Sequence, residues 1–214
     1  MTSKKKLGVI DYGSSNIFNV VNAFEYLGHS VEIIASETDF NKYTHLVLPG
    51  VGSFQDGMNS LESRNLVKPL LSYTKTNKPF LGICLGMQMM LEMSYEFGEH
   101  KGLGIIRGDI QKIPSKNLKG EKHKIPHIGW NNLQLTREKG ADNRLIDSRL
   151  DTQAMYFVHS YMANCNKKNI IATCDYNGII IPAVIMNNNN FGCQFHPEKS
   201  GIKGLSILTN FVNL

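Results

Sequence analysis

The stretch Pro79-Phe80-Leu81-Gly82-Ile83-Cys84-Leu85-Gly86-Met87-Gln88 decides the fold class. Its apolar run Phe80–Ile83 reads as a buried strand, and an apolar helical pattern follows Cys84 at once. Gly-x-Cys-x-Gly at such a junction is the grammar of a nucleophile elbow. Gly82 and Gly86 carry no Cβ, so strand and helix can approach closely while the residue between them sits on a strained turn. Cys84 is then held at the top of a sheet and at a helix N-terminus, where the reactive thiolate is favoured. A cysteine in an apolar run is otherwise an inert core residue, so the elbow needs partners before it reads as chemistry.

A second motif supplies them. Gly192-Cys193-Gln194-Phe195-His196-Pro197-Glu198-Lys199-Ser200 places a histidine and a carboxylate one residue apart, with Pro197 stiffening the turn between them. A catalytic imidazole needs an acceptor on its far nitrogen to hold one tautomer. Alone, His-Pro-Glu reads as a surface turn. Joined to the elbow, it completes a set of nucleophile, base and orienter: Cys84, His196 and Glu198.

Around the elbow the chain alternates strand and helix. Apolar runs at 7–10, 31–34, 46–48 and 80–83 read as strands. Ser14 or Ser15 can cap a helix whose core face is Ile17, Val20, Val21, Phe24 and Leu27, ended by Gly28. Further helices are expected after Ser53, over 66–76, and from Leu85 to about Tyr95. This pattern predicts a mostly parallel sheet covered on both faces, with function gathered at the carboxyl ends of its strands. Beyond it, 109–113, 130–135, 155–158, 170–174, 180–186 and 192–195 look strand-like, joined by Gly- and Asn-rich turns. They are expected to extend the same sheet with antiparallel strands. A last helix is expected over 202–211.

Composition narrows the class. The chain has 214 residues, enough for one domain with a good core, with 1–6 expected as a flexible basic tail. No apolar run approaches the roughly 20 residues of a membrane span, and no secretory h-region follows the start. Cys84, Cys165, Cys174 and Cys193 form no C-x-x-C pair and suit no zinc site, so no metal and no cofactor are expected. Their pattern fits a reducing, cytoplasmic setting. Net charge is +5, with lysines gathered at Lys112, Lys116, Lys119, Lys122 and Lys124. These read as a solvated loop, or as a face for an acidic protein partner. No nucleic-acid motif accompanies them.

The elbow together with Gln194-Phe195-His196-Pro197-Glu198 resembles the class I (triad) glutamine amidotransferases. Within them, the branch of glutaminase subunits of imidazole glycerol phosphate synthase is the most similar. Asp11-Tyr12-Gly13 with Asn16, Pro49-Gly50-Val51-Gly52-Ser53-Phe54, Pro126-His127-Ile128-Gly129-Trp130-Asn131 and Phe157-Val158-His159-Ser160-Tyr161 carry that likeness, which runs over 7–211. Ser15 stands where the family commonly has glycine. Cys193 stands where it usually has an aliphatic residue, and reads as a buried core thiol.

The resemblance implies a flavodoxin-like α/β glutaminase fold and hydrolysis of glutamine to glutamate and ammonia through a Cys84 thioester. His196 would protonate the departing ammonia and then activate water, with Glu198 orienting it. The oxyanion would be met by the Leu85 N–H and, after a peptide flip, by the Val51 N–H, between the rotatable Gly50 and Gly52. In the resting state the Val51 carbonyl is expected to face the site. Gln88, one helical turn beyond Cys84, shares the elbow's face. Glu96 is the expected anchor for the substrate ammonium, and the backbone at Ser160 and Tyr161 for its carboxylate. His159 reads as structural rather than as a second base. Ammonia would pass to a TIM-type barrel cyclase subunit, forming a heterodimer that makes imidazole glycerol phosphate and an aminoimidazole carboxamide ribonucleotide. The loop-like segment Pro126, His127, Trp130 and Asn131 is expected at that interface, with Trp130 as an anchor or, alternatively, a core residue. A paralogue feeding ammonia to a barrel synthase in amino-sugar or surface-polysaccharide biosynthesis fits the same residues.

Overall fold

The elbow strand runs through the middle of the larger of two sheets. The computed structural model describes residues 5–13, 16–36, 39–136 and 144–214. In chain order the strands are β1 Leu7–Ile10, β2 Val31–Ile34, β3 His45–Leu48, β4 Phe80–Ile83, β5 Met93–Ser94, β6 His100–Lys101, β7 Gly108–Lys112, β8 His127–Leu135, β9 Ala154–His159, β10 Tyr161–Cys165, β11 Ile170–Tyr176, β12 Ile179–Asn187 and β13 Asn190–Cys193. The helices are α1 Ile17–Tyr26, α2 Phe54–Ser63, α3 Val67–Thr74, α4 Leu85–Met89 and α5 Gly201–Val212.

The larger sheet has the order β2-β1-β3-β4-β13-β12-β11-β8-β9. β2, β1, β3, β4 and β13 pair in parallel, and β12, β11, β8 and β9 continue it antiparallel. The four-residue strands β1, β3, β4 and β13 are buried at every position, because helices cover both faces. Strand parity sorts their side chains. Leu7, Val9, Val47, Leu81 and Ile83 join α1 and α5 in one core, while Ile10, Leu46, Leu48 and Phe80 join α2 and α3 in the other. Ser53 caps α2 by accepting from the Asp56 N–H. Gly28, at φ +83°, lets the chain turn out of α1 where most side chains would be strained.

Three expectations are corrected. The helix after Cys84 stops at Met89 rather than near Tyr95. Residues 103–106 fold back, and their N–H groups take the carbonyls of Met89, Met90 and Leu91. Met87 to Leu91 are buried all round, so apolar periodicity cannot mark where the helix ends. Next, 109–113 do not extend the larger sheet: β7 pairs with β10 in a second sheet of order β10-β7-β5-β6. Finally, 127–131 are not a loop but the first half of β8. The expected caps Ser14 and Ser15, and 1–4 of the basic tail, lie outside the described residues. Lys6 is bonded to Thr44, its N–H donating to Oγ1 at 2.8 Å.

Candidate active site

Register brings the two motifs together. β13 lies parallel to β4 with Cys193 opposite Ile83, and the Cys84 N–H donates to the Cys193 carbonyl at 2.7 Å. The residues that follow β13 therefore emerge beside the elbow. Cys84 itself sits at φ 53°, ψ −109°, a conformation that a side-chain-bearing residue keeps only when its surroundings enforce it. They do: a Cβ on Gly86 would run into the Leu48 carbonyl, and one on Gly82 would lie 2.8 Å from the Gly86 backbone. Only glycine fits either position.

After β13 the chain makes a 3-10 turn over Pro197–Lys199. It folds His196 and Glu198 onto each other, with Nδ1 of the ring 2.7 Å from Oε1 of the carboxylate and both side chains fully buried. The turn is pinned by Ser200, whose hydroxyl donates to the His196 carbonyl at 2.6 Å and accepts from the Tyr156 N–H. Asn16 donates its Nδ2–H to the same Oε1 at 2.7 Å. Burial disfavours a charged imidazole here. The Cys84 sulfur and the Glu198 carboxylate outweigh it, raising the His196 pKa to about 10. Nε2 feels the sulfur but makes no hydrogen bond to it. The ring therefore holds its proton beside the nucleophile at neutral pH.

A second set of groups surrounds the sulfur. Gln194, fully buried, donates Nε2–H towards Cys84 Sγ at 3.8 Å. Its Oε1 accepts from Gln88 Nε2 at 3.1 Å, and Gln88 Nε2 also donates to the Tyr161 carbonyl at 3.2 Å. Gln88 thus stands at the elbow as expected, but its amide is engaged by the protein. Gln194 had only the signal of standing two residues before His196. That it abuts Cys84 follows from the β4–β13 register, which sequence does not show.

The loop 49–52 after β3 lies against the elbow. The Leu85 N–H donates to the Gly50 carbonyl at 3.3 Å. The expectation had the Val51 carbonyl facing the site; the carbonyl that takes the Leu85 N–H is that of Gly50. In a planar trans peptide the Val51 N–H points the opposite way from that carbonyl. Gly52, at φ +110°, allows the loop its turn.

These elements border a cavity of about 570 Å³, lined among others by Val51, Gly52, Cys84, Gln88, Glu96, Ser160 and Tyr161. Gly50, expected at the substrate, is not among the residues that line it; a Cβ there would crowd Leu85 and the Gly86 backbone. Glu96 reaches the rim, where Oε2 accepts from the Phe54 N–H at 2.6 Å. The Tyr161 carbonyl is held by Gln88 and contacted by His159 Nδ1 at 2.8 Å; of the backbone groups at 160–161 only an N–H can donate to a substrate carboxylate. Lys112, read from the sequence as part of a lysine-rich loop, and Phe97, which the sequence did not single out, also border the cavity; Lys112 stands at the end of β7 rather than in a loop. No cluster of three or more metal-ligating side chains occurs among the described residues. Nor is any of their helices long and apolar enough to cross a membrane.

β8 corrects the interface expectation. Its residues alternate, so Ile128 and Trp130 are exposed at 57% and 56% while His127 and Asn131 turn the other way. His127 is fully buried, stacked on Tyr176 and Phe157. It approaches His159 Nε2 and Asn131 Oδ1, each at 2.9 Å. Pro126 remains exposed. Of the lysine-rich stretch, Lys116 and Lys122 pair in an isolated antiparallel bridge of an exposed loop.

Residues 8–214 match the family model described as glutamine amidotransferase class-I. The chain is 46% identical over 211 residues to the imidazole glycerol phosphate synthase subunit HisH 1 of Legionella pneumophila (strain Lens), covering 97% of this chain and 99% of that one. It is 40% identical to the HisH subunit of Caldanaerobacter subterraneus subsp. tengcongensis, covering 96% of each. Among solved structures, that of PurLQS from Thermotoga maritima superposes with a TM-score of 0.75 at 19% identity, over 98% of both chains; this likeness concerns the fold alone.

Proposed function

The chain belongs to the class-I glutamine amidotransferase family, and from that membership we propose that it is the glutaminase subunit of an imidazole glycerol phosphate synthase. The observation that carries the reading is the convergence of Cys84, His196 and Glu198 on one buried site, in a chain 40–46% identical to relatives named for that subunit. Those names favour this reading over the amino-sugar paralogue.

The geometry suits amide hydrolysis. The Cys84 sulfur attacks the carboxamide carbon of glutamine and forms the C–S bond. His196, held protonated by Glu198, gives its proton to the nitrogen as the C–N bond breaks, and ammonia leaves. The neutral ring then takes a proton from water as that water attacks the thioester. Glutamate departs and Cys84 is regenerated.

In this reading the site rests in a self-inhibited state. The Leu85 N–H, one of the two oxyanion donors, is occupied by the Gly50 carbonyl. Rotation of the Gly50–Val51 peptide would free Leu85 and turn the Val51 N–H inward, supplying both donors at once. Lack of one such donor costs roughly 3–4 kcal/mol of transition-state stabilisation. Glu96 would hold the substrate ammonium with its carboxylate at the start of α2, and N–H groups of Ser160 and Tyr161 the substrate carboxylate. Ammonia would pass to a TIM-type barrel cyclase subunit docked on the face carrying Pro126, Ile128 and Trp130.

The test is Cys84→Ala in the assembled synthase. Glutamine-dependent product formation should vanish while added ammonium salt still supports it. Retained glutamine turnover in that variant would overturn the assignment of the nucleophile.

A further inference from the structure

Lys112 ends β7 and borders the active-site cavity, yet no step above uses it. Among the described residues its ammonium has no hydrogen-bond or ion-pair partner. Apart from Cys84, the ionisable side chains that line the cavity are Glu96, Lys112, His159 and Tyr161. Burial lowers His159 to about 3, so the ring is neutral. Burial, and then the charge of Glu96, raise Tyr161, so the phenol is neutral too. One carboxylate and one ammonium remain.

Register fixes where that ammonium stands. Lys112 is directly opposite Tyr161 in the antiparallel pair β7–β10, and opposed residues send their side chains to the same face of a sheet. Tyr161 feels the Glu96 charge and meets the Phe97 ring edge-on, 6.5 Å between centroids. Lys112, Tyr161, Phe97 and Glu96 therefore border one mouth. The Ile113 N–H donates to the Ser160 carbonyl at 2.9 Å, which ties the backbone at 160–161 to the end of β7 and so to Lys112.

We infer that Lys112 is a specificity-determining residue, whose ammonium pairs with the free α-carboxylate of a bound amino-acid amide while Glu96 meets its α-ammonium. The inference rests on the glutaminase reading and deepens it. Two methylenes separate the carboxamide of glutamine from its α-carbon, so with the amide at Cys84 the charged head lies in the same cavity. A zwitterion leaves neither charge unmatched between Glu96 and Lys112. An amide whose α-carboxylate is itself amidated brings Lys112 no counter-charge, and a site that offers a charged donor discriminates against a ligand that cannot use it. The cavity thus selects free α-amino acids.

The experiment is an NMR titration of the full chain carrying Cys84→Ala, with and without Lys112→Met, using L-glutamine and L-glutaminamide. The parent should bind glutamine about tenfold to a hundredfold tighter than glutaminamide, the worth of a hydrogen bond to a charged group. Lys112→Met should weaken glutamine by that factor and move glutaminamide by less than about twofold, and Lys112→Arg should recover most of the preference. In turnover by the otherwise unmodified enzyme the same loss should appear in KM rather than in kcat. Equal losses for both ligands, an unchanged glutamine affinity in Lys112→Met, or no binding of glutamine to the parent would each overturn the inference. The expected discrimination in a chain that never turns over glutamine would support Lys112 and sink the glutaminase reading instead. Turnover with no dependence on Lys112 would do the reverse.

Discussion

Asn16 and Glu198 stand 182 positions apart in the chain, yet the Asn16 side chain donates to the Glu198 carboxylate at 2.7 Å. The oxygen it meets is the one that holds His196. Asn16 is the N-cap of α1 and is itself nearly buried. Its Oδ1 accepts from Asn19 at 2.7 Å, which orients the amide. The first helix of the fold thus locks the orienter of the last motif.

Removing that lock should loosen the imidazole without removing it from the site. Asn16→Ala is expected to lower kcat about tenfold, from the roughly 1–2 kcal/mol such a charge-assisted bond contributes, with little change in KM for glutamine. Steady-state kinetics of the assembled complex check this. A variant with unaltered kcat would mean Glu198 is held well enough by other contacts.

Gln194 gives a sharper dissection, because its two amide atoms have different duties. Gln194→Glu keeps an acceptor for Gln88 but loses the N–H aimed at Cys84 Sγ. Gln194→Leu loses both and leaves a buried donor on Gln88 unpaired. Each should reduce kcat/KM, roughly tenfold to a hundredfold, the worth of about 1.5–3 kcal/mol for a hydrogen bond to a charged group. Only Gln194→Leu should also lower the melting temperature without adding charge. Wild-type kinetics in both would remove Gln194 from the sulfur's environment.

Stability should peak near pH 6.5. His196 is raised from 6.5 to about 10, so its contribution is complete below 6.5 and is lost as pH rises towards 10. His45 is lowered to about 4, chiefly by burial against Phe211 with help from nearby Lys5 and His29, and His159 to about 3. For these the unfolded chain binds more protons, so their contribution is complete above 6.5 and is lost as pH falls through 4 towards 3. Denaturant midpoints across this range check the dome. Glu198→Gln should flatten its alkaline side and His45→Leu its acid side; parallel curves for wild type and variants would contradict the assignment.

Much of the fold was legible because it depends on local rules. The four-residue runs Leu7–Ile10 and Phe80–Ile83, each apolar around a single glycine, become β1 and β4, and the single stripe of Ile17, Val20, Val21 and Phe24 becomes the buried face of α1. The elbow was legible because strain at Cys84 leaves no residue but glycine at 82 and 86. The end of α4 was not, since a helix buried all round carries no periodic signal and its last carbonyls are capped by 103–106. The interface segment was misread because a polar, Gly- and Pro-bearing stretch resembles a loop. As a strand it can expose only alternate residues, so it offers Ile128 and Trp130 outward and sends His127 inward.

What the sequence determined by itself is the chemistry available: a strained cysteine between two glycines, and a histidine whose carboxylate is close enough in the chain to be brought to it by one proline turn. What only tertiary structure decided is everything set by register and crossing between distant segments. The parallel pairing of β13 with β4 puts Gln194 against Cys84. The start of α1 brings Asn16 to Glu198. The passage of the chain from β9 in one sheet to β10 in the other, across Ser160, sets His159 between the cavity and β8. Hydrogen bonds between residues more than a hundred positions apart leave no periodic trace in either partner's neighbourhood, because each segment folds by its own local pattern and meets the other only in the packed core.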